Sequence, residues 1–156
     1  MSVAETAEST QYLTFKLDDE LFALDISKVR EVLDLTTITK VPRAPEFMRG
    51  VINLRGSVVP TVDMKVMFGM SMTEKTVNTC IIITEVTVDG ETAFLGALAD
   101  SVQEVINLDA EHTVTSPRLG TQLPTEFIKG MGRHDNGFII LLDLDKVFSS
   151  EKLVAS

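Results

Sequence analysis

The sequence has one cysteine in 156 residues, so no disulfide can form within the chain. Cys80 opens the apolar run Cys80-Ile81-Ile82-Ile83, where a small buried hydrophobe is expected rather than a reactive thiol. A lone thiol is compatible with the cytosol. Positive charge is also scarce. Lys and Arg number 14 against 23 Asp and Glu, giving a net charge of −9, and no block of Lys or Arg occurs. That balance speaks against tracking nucleic-acid phosphates or anionic lipid. A protein or small-molecule partner fits it better. No apolar run approaches the ~20 residues that span a bilayer. The stretch Met1 to Ser9 is polar and acidic, without the basic start and apolar core of a signal peptide. Any membrane contact is therefore expected to come through a partner.

Sequence signs of catalysis are equally thin. His112 and His134 are expected in loops, and neither has another His or Cys at metal-ligand spacing. There is no Gly-rich phosphate loop, no G-x-S-x-G elbow and no paired Cys–His site. Asp63 and Asp143 are the strongest enzymatic candidates, because symmetric carboxylates can share a proton. Each, however, stands where a strand ends and a helix begins. A helix N-cap explains both. No cofactor or metal is expected.

What the chain does contain is a repeat. Glu46-Phe47-Met48-Arg49-Gly50 returns as Glu126-Phe127-Ile128-Lys129-Gly130, at an offset of 126 − 46 = 80. Without a gap, Val58 to Met64 then aligns with Phe138 to Leu144, and Phe68 with Phe148. Val29-Arg30-Glu31-Val32-Leu33 returns as Val102-Gln103-Glu104-Val105-Ile106, at an offset of 102 − 29 = 73. Several weak matches in one order mark a duplication. Hydrophobic residues make up 44% of the chain, enough for a core shared by two small units.

Each unit reads as β. Leu13, Phe15 and Leu17 alternate with polar residues, and Asp18-Asp19 turns into Phe22, Leu24 and Ile26. Asp89-Gly90 separates strands near 79–88 and 91–99. Short helical turns are expected near 27–31 and 100–104. Gly50 to Leu54 and Ser57 to Val62 form a second hairpin, repeated by 129–134 and 138–143 around Asp135-Asn136-Gly137. Helices are expected near 64–68 and 145–154. The runs Ile81-Ile82-Ile83 and Ile139 to Leu142 are apolar at consecutive positions, which implies burial on both faces at a seam between units. Phe47, Phe127, Gly50 and Gly130 are the expected structural core of the repeat. Replacing either Phe with Ala should cost roughly 3–5 kcal/mol if it is fully buried.

Features that a fold requires should occur twice, whereas features a partner requires can occur once. Arg55 occurs once, since 55 + 80 = 135 and position 135 is Asp. It is either a turn residue, paired with Glu31 or Asp63, or a partner contact. Pro42-Arg43-Ala44-Pro45 is also unmatched and is expected to stiffen the approach to Phe47. Met64, Met67, Met70 and Met72 either fill gaps around a helix or form an adaptable binding surface.

The run Phe15-Lys16-Leu17, Phe22 to Ile26 and Lys28 to Val32 resembles the opening of CheW-like domains. Val41-Pro42, Pro45 to Gly56 and Val58 to Asp63 continue the resemblance, as do Val102 to Val105 and Glu126 to Gly130. The likeness spans roughly 11–150. It implies a mainly β fold of two SH3-like five-stranded β-barrel subdomains with short helices and a C-terminal helix, approximately 11–72 and 77–150. Strand exchange between them is possible. Residues 1–10 would be a disordered tail and 151–156 a C-terminal tail. It implies a cytoplasmic, non-catalytic scaffold coupling methyl-accepting chemoreceptors to the regulatory domain of the histidine kinase CheA. By the same resemblance, receptor binding falls on Ile26, Val29, Glu31, Val32 and Arg55. Val29 and Val32 would form an apolar ledge as i, i+3 neighbours on a helical turn. The chain has no length left for a kinase core, a phosphotransfer bundle or a receiver, so a stand-alone adaptor is expected. The alternative is a small-molecule-binding β-barrel.

Overall fold

A computed structural model describes residues 10–88, 90–108, 113–114, 127–134 and 137–148. Asp89, His112, Glu126, the Asp135-Asn136 turn and the expected tails lie outside them, except Thr10, which opens the first strand instead of belonging to the tail. β1 (Thr10–Leu17) and β2 (Glu20–Asp25) form the first hairpin. A 3-10 turn, Ile26–Lys28, leads into β3 (Val29–Asp34). β4 (Met48–Leu54), β5 (Ser57–Asp63) and α1 (Met64–Met67) follow. The second half comprises β6 (Cys80–Val88), β7 (Glu91–Ala99), β8 (Ser101–Leu108), β9 (Thr113–Val114), β10 (Ile128–His134), β11 (Gly137–Leu142) and α2 (Leu144–Phe148).

Two local expectations need correction. Residues 29–31 and 101–104 are strand, not helical turn. Val29 and Val102 suit a pleated surface, and long-range pairing with β6 and β1 decides the outcome. His134 ends β10 rather than lying in a loop. Of the helix expected over 145–154, the described part is α2, Leu144–Phe148, and the rest of that span lies outside the described residues.

The strands form two sheets, with orders β3-β6-β7-β5-β4 and β8-β1-β2-β11-β10-β9. Each sheet borrows a hairpin from the other half of the chain. β6–β7 joins β3, β4 and β5, while β1–β2 joins β8, β10 and β11. The splices are parallel and equivalent: Thr61 pairs with Gly96, and Leu141 with Ala23. These pairs interconvert under the two offsets read from sequence, 61 + 80 = 141 and 23 + 73 = 96. In both sheets the chain leaving an edge strand comes round to the opposite edge. Thr39 bridges Val51 of β4, and Val114 pairs with Met131 of β10.

The core has three parts. Ile52, Val59, Ile81, Ile83 and Leu98 fill the five-stranded sheet. Tyr12, Ala23, Ile106, Leu108, Ile139 and Leu141 fill the six-stranded one. The largest cluster takes residues from both, including Phe15, Leu24, Ile82, Ala97, Leu142 and Val147. Thus Ile81 and Ile83 face one core while Ile82 faces another, which is why β6 is apolar at every position there. Phe15, Phe22, Phe68 and Phe127 run through the shared cluster, with successive ring centroids 5.9, 6.2 and 6.1 Å apart.

Candidate interaction surface

The site expected from sequence begins where β2 ends. Asp25 accepts hydrogen bonds from the Ser27 amide at 3.0 Å and the Ser27 hydroxyl at 2.8 Å, fixing the 3-10 turn that carries Ile26. β3 then pairs with β6 through a bulge. Val29 lies opposite Thr84, but Glu31 already lies opposite Ile83 and Val32 opposite Ile82. The extra residue returns Val29 and Val32 to partners on one face of β6. They share a face through a bulged strand, not through a helical turn. Ile26 and Val29 are half-buried against the central core, whereas Val32 is 40% exposed.

Glu31 and Arg55 come together directly. β4 and β5 are joined by Arg55-Gly56, with φ of 51° and 89°. Two successive left-handed residues make the type I′ turn that suits a twisted hairpin. Asn53 Oδ1 accepts from the Gly56 amide at 2.8 Å and braces this turn. Both Arg55 Nη atoms donate to the Glu31 carboxylate, Nη1 at 3.3 Å. The Arg55 side chain stays 69% exposed, so the pair contributes little stability and leaves the guanidinium accessible. Beside it, a groove of about 280 Å³ is lined by Arg30, Glu31, Leu54, Arg55, Val59 and Phe94. Arg30 pairs with Glu85 at 3.5 Å and lies 5.7 Å from the centre of the Phe94 ring. Ile26, Val29 and Val32 do not line this groove.

Sequence reasoning overlooked Arg30 and Phe94. The local signal at Phe94-Leu95 was insufficient: adjacent strand residues face opposite sides of the sheet, but both sides can be core, as at Ile81 and Ile82. Exposed apolar residues also recur under the repeat. Val58 and Phe138 are 72% and 60% exposed, and 58 + 80 = 138. Val32 and Val105, related by 32 + 73 = 105, are also exposed.

The structural residues sit elsewhere. Phe47 and Phe127 are buried in the shared cluster, and their carbonyls accept from the Asp63 and Asp143 amides. Gly50 has φ of 144°, and a Cβ there would lie 2.1 Å from the Thr39 carbonyl oxygen. Gly130 is buried in β10, at the matching bulge. Asp63 is fully buried at the N-terminus of α1 and accepts from the Lys65 amide at 3.2 Å. It also accepts from Arg49 at 3.0 Å and from the Thr73 amide and hydroxyl at 2.9 and 2.8 Å. Asp143 accepts from the Lys146 amide at 3.2 Å. Met64 and Met67 are core, Met70 packs against it, and Met72 is exposed. Cys80 is only partly buried and donates to the Asn78 carbonyl. Among the described residues no cluster of His, Cys, Asp and Glu could hold a metal ion, and no helix is long and apolar enough to cross a membrane.

The model of the CheW-like domain matches residues 11–152. The chain belongs to the CheW-like family. It is 33% identical over 143 residues to the chemotaxis protein CheW of Klebsiella aerogenes, covering 92% of this chain and 84% of that one. It is 32% identical over 146 residues to chemotaxis protein CheW of Rhizobium meliloti, covering 94% and 92%. The crystal structure of the scaffolding protein TtCheW from Thermoanaerobacter tengcongensis superimposes with a TM-score of 0.80 at 36% identity, covering 92% of this chain and 90% of that one. The paired sheets and exchanged hairpins are therefore a CheW-like architecture.

Proposed function

We propose that this chain is a chemotaxis scaffold that joins the cytoplasmic tip of a methyl-accepting chemoreceptor to the regulatory domain of CheA, without catalysing a reaction. It would act in the cytoplasm and reach the membrane array through its partners. The observation that carries this reading is the Glu31–Arg55 pair at the rim of an open groove. A bidentate guanidinium held by a two-residue turn, yet exposed, is preorganised for a second contact. Val32, exposed on the opposite face of the strand that carries Glu31, offers apolar area to a receptor helix outside this groove. The paired exposed residues Val58 and Phe138, one per sheet, leave room for a second partner elsewhere.

Calorimetry with a receptor-tip fragment and a CheA regulatory domain, separately and together, tests this. Simultaneous binding at distinct sites is the expected result. Arg55→Ala and Val32→Glu should weaken receptor binding at an unchanged melting temperature. Val29 is a poorer probe than its neighbours because it packs against the core. Equal loss of both partners, or binding of neither wild-type partner, would overturn the reading.

A further inference from the structure

The link between β3 and β4 forms a second groove, on residues that the adaptor reading does not use. Val41, Pro42, Arg43 and their neighbours enclose about 470 Å³ together with Pro45, Met48, Pro60 and Leu95. That volume falls in the range of small-molecule pockets. Three of the chain's five prolines line it, so its walls lose little freedom when a ligand binds. Val41 is 43% exposed there.

The charge of the groove is unusual for this protein. On a chain of net charge −9, no carboxylate lines it, and Arg43 is its one ionic residue. Arg43 is in no ion pair among the described residues. It also has φ of 60°. Left-handed geometry is costly for a long side chain, and Gly or Asn would adopt it more easily. The other left-handed non-glycine residues, Asp18 and Arg55, each hold an ion-pair partner within the protein. Arg43 bears the same strain without one.

We propose that this groove binds an amphiphilic carboxylate, a free medium-chain fatty acid whose chain lies along the prolines and Met48 and whose carboxylate pairs with Arg43. One cation matches one carboxylate. A lipid surface would call for a cluster of cations, which the lining lacks. The groove shares no lining residue with the one beside Arg55, and its occupancy is testable without receptor or kinase.

The test is titration of the whole protein with decanoate, decanol and decyltrimethylammonium, each below its micelle concentration, by calorimetry and by amide chemical shifts. Decanoate should bind saturably and shift the amides of Val41 to Met48. Decanol should bind at least about tenfold more weakly, a difference of about 1.4 kcal/mol, and the cation not at all. Arg43→Asn keeps a residue that tolerates the left-handed backbone and removes the charge. It should reduce decanoate affinity to that of decanol. Val41→Asp, at an exposed wall, should also weaken decanoate, with both variants melting like wild type. Absence of saturable binding, equal binding of decanol, or wild-type affinity in Arg43→Asn would each overturn the proposal.

Discussion

Asp63 and Asp143 hold the same place in the two repeats but carry unequal burdens. Both cap a short helix, and both positions were legible as caps because each Asp follows a strand and precedes an apolar helical run. What the sequence could not reveal is that Asp63 alone is buried with Arg49 and Thr73. Those partners come from β4 and from the link after α1, at separations no local pattern encodes. Asp63→Ala should cost about 3–5 kcal/mol, because it strands a largely buried guanidinium. Asp143→Ala should cost about 1 kcal/mol, the worth of a cap. Urea unfolding of both variants checks the ratio. Thr61 gives the opposite sign. Its hydroxyl is fully buried, has no hydrogen-bond partner among the described residues, and faces Gly96 at the parallel splice, where the second repeat has Leu141. Thr61→Val should raise stability by about 1–3 kcal/mol, since the orphaned hydroxyl costs its desolvation and returns nothing. A lower urea midpoint would show that the hydroxyl has a partner after all.

At the level of elements, the hairpins were readable and the turns after them were not. Alternating apolar residues define β1 and β2, and the repeat fixes the place of β10 and β11. Val29 to Val32 misled because a bulged strand and a helical turn both bring residues three apart onto one face. Only pairing with β6 distinguishes them. The elements are also joined by two latches that the repeat relates with their charges reversed. Lys65 of α1 pairs with Asp18 at 2.5 Å and Asp100 at 3.4 Å, fastening α1 to the first hairpin turn and to the junction of β7 and β8. Its counterpart, at 65 + 80 = 145, is Asp145 of α2, which pairs with Lys28 at 3.1 Å and accepts from the Thr87 amide at 3.0 Å. Lys65 is almost wholly buried. Burial alone would lower its pKa, but hydrogen bonds and attraction from Asp18 and Asp100 outweigh it and hold the ammonium above its ordinary 10.5. A raised folded pKa means that the latch contributes in full below 10.5 and loses its contribution as pH rises through the raised value. Replacing Asp18 and Asp100 together with Asn strands the ammonium and should cost about 3–5 kcal/mol. Lys65→Met leaves two partly solvated carboxylates and should cost less. The stability gap between wild type and Lys65→Met, measured by urea unfolding from pH 8 to 11.5, should narrow only at the alkaline end. A constant gap would mean that Lys65 acts through packing rather than charge.

For the molecule as a whole, the duplication predicted two units and left open which strands belong to which. The answer lies in pairings across more than thirty positions, Thr61 with Gly96 and Leu141 with Ala23, which no periodicity within a segment specifies. Each half donates its first hairpin to the sheet of the other, so neither half owns a complete sheet. The five-stranded sheet would lose two of its three interior strands without β6–β7, and the six-stranded sheet would lose β1–β2 from between β8 and β11. The shared cluster would lose Phe15, Phe22 and Leu24 on one side or Ile82, Val86 and Ala97 on the other. A cut in the link between α1 and β6 therefore tests the architecture. Fragments 1–76 and 77–156, made separately, should each lack a cooperative thermal transition, because each has unpaired strand edges and half a core. Mixed at equal concentration, they should regain β circular dichroism and a single transition whose midpoint rises with protein concentration. Independent melting of either fragment would mean that a hairpin can pair within its own half, and that the exchange is one of two accessible arrangements rather than a requirement of the fold.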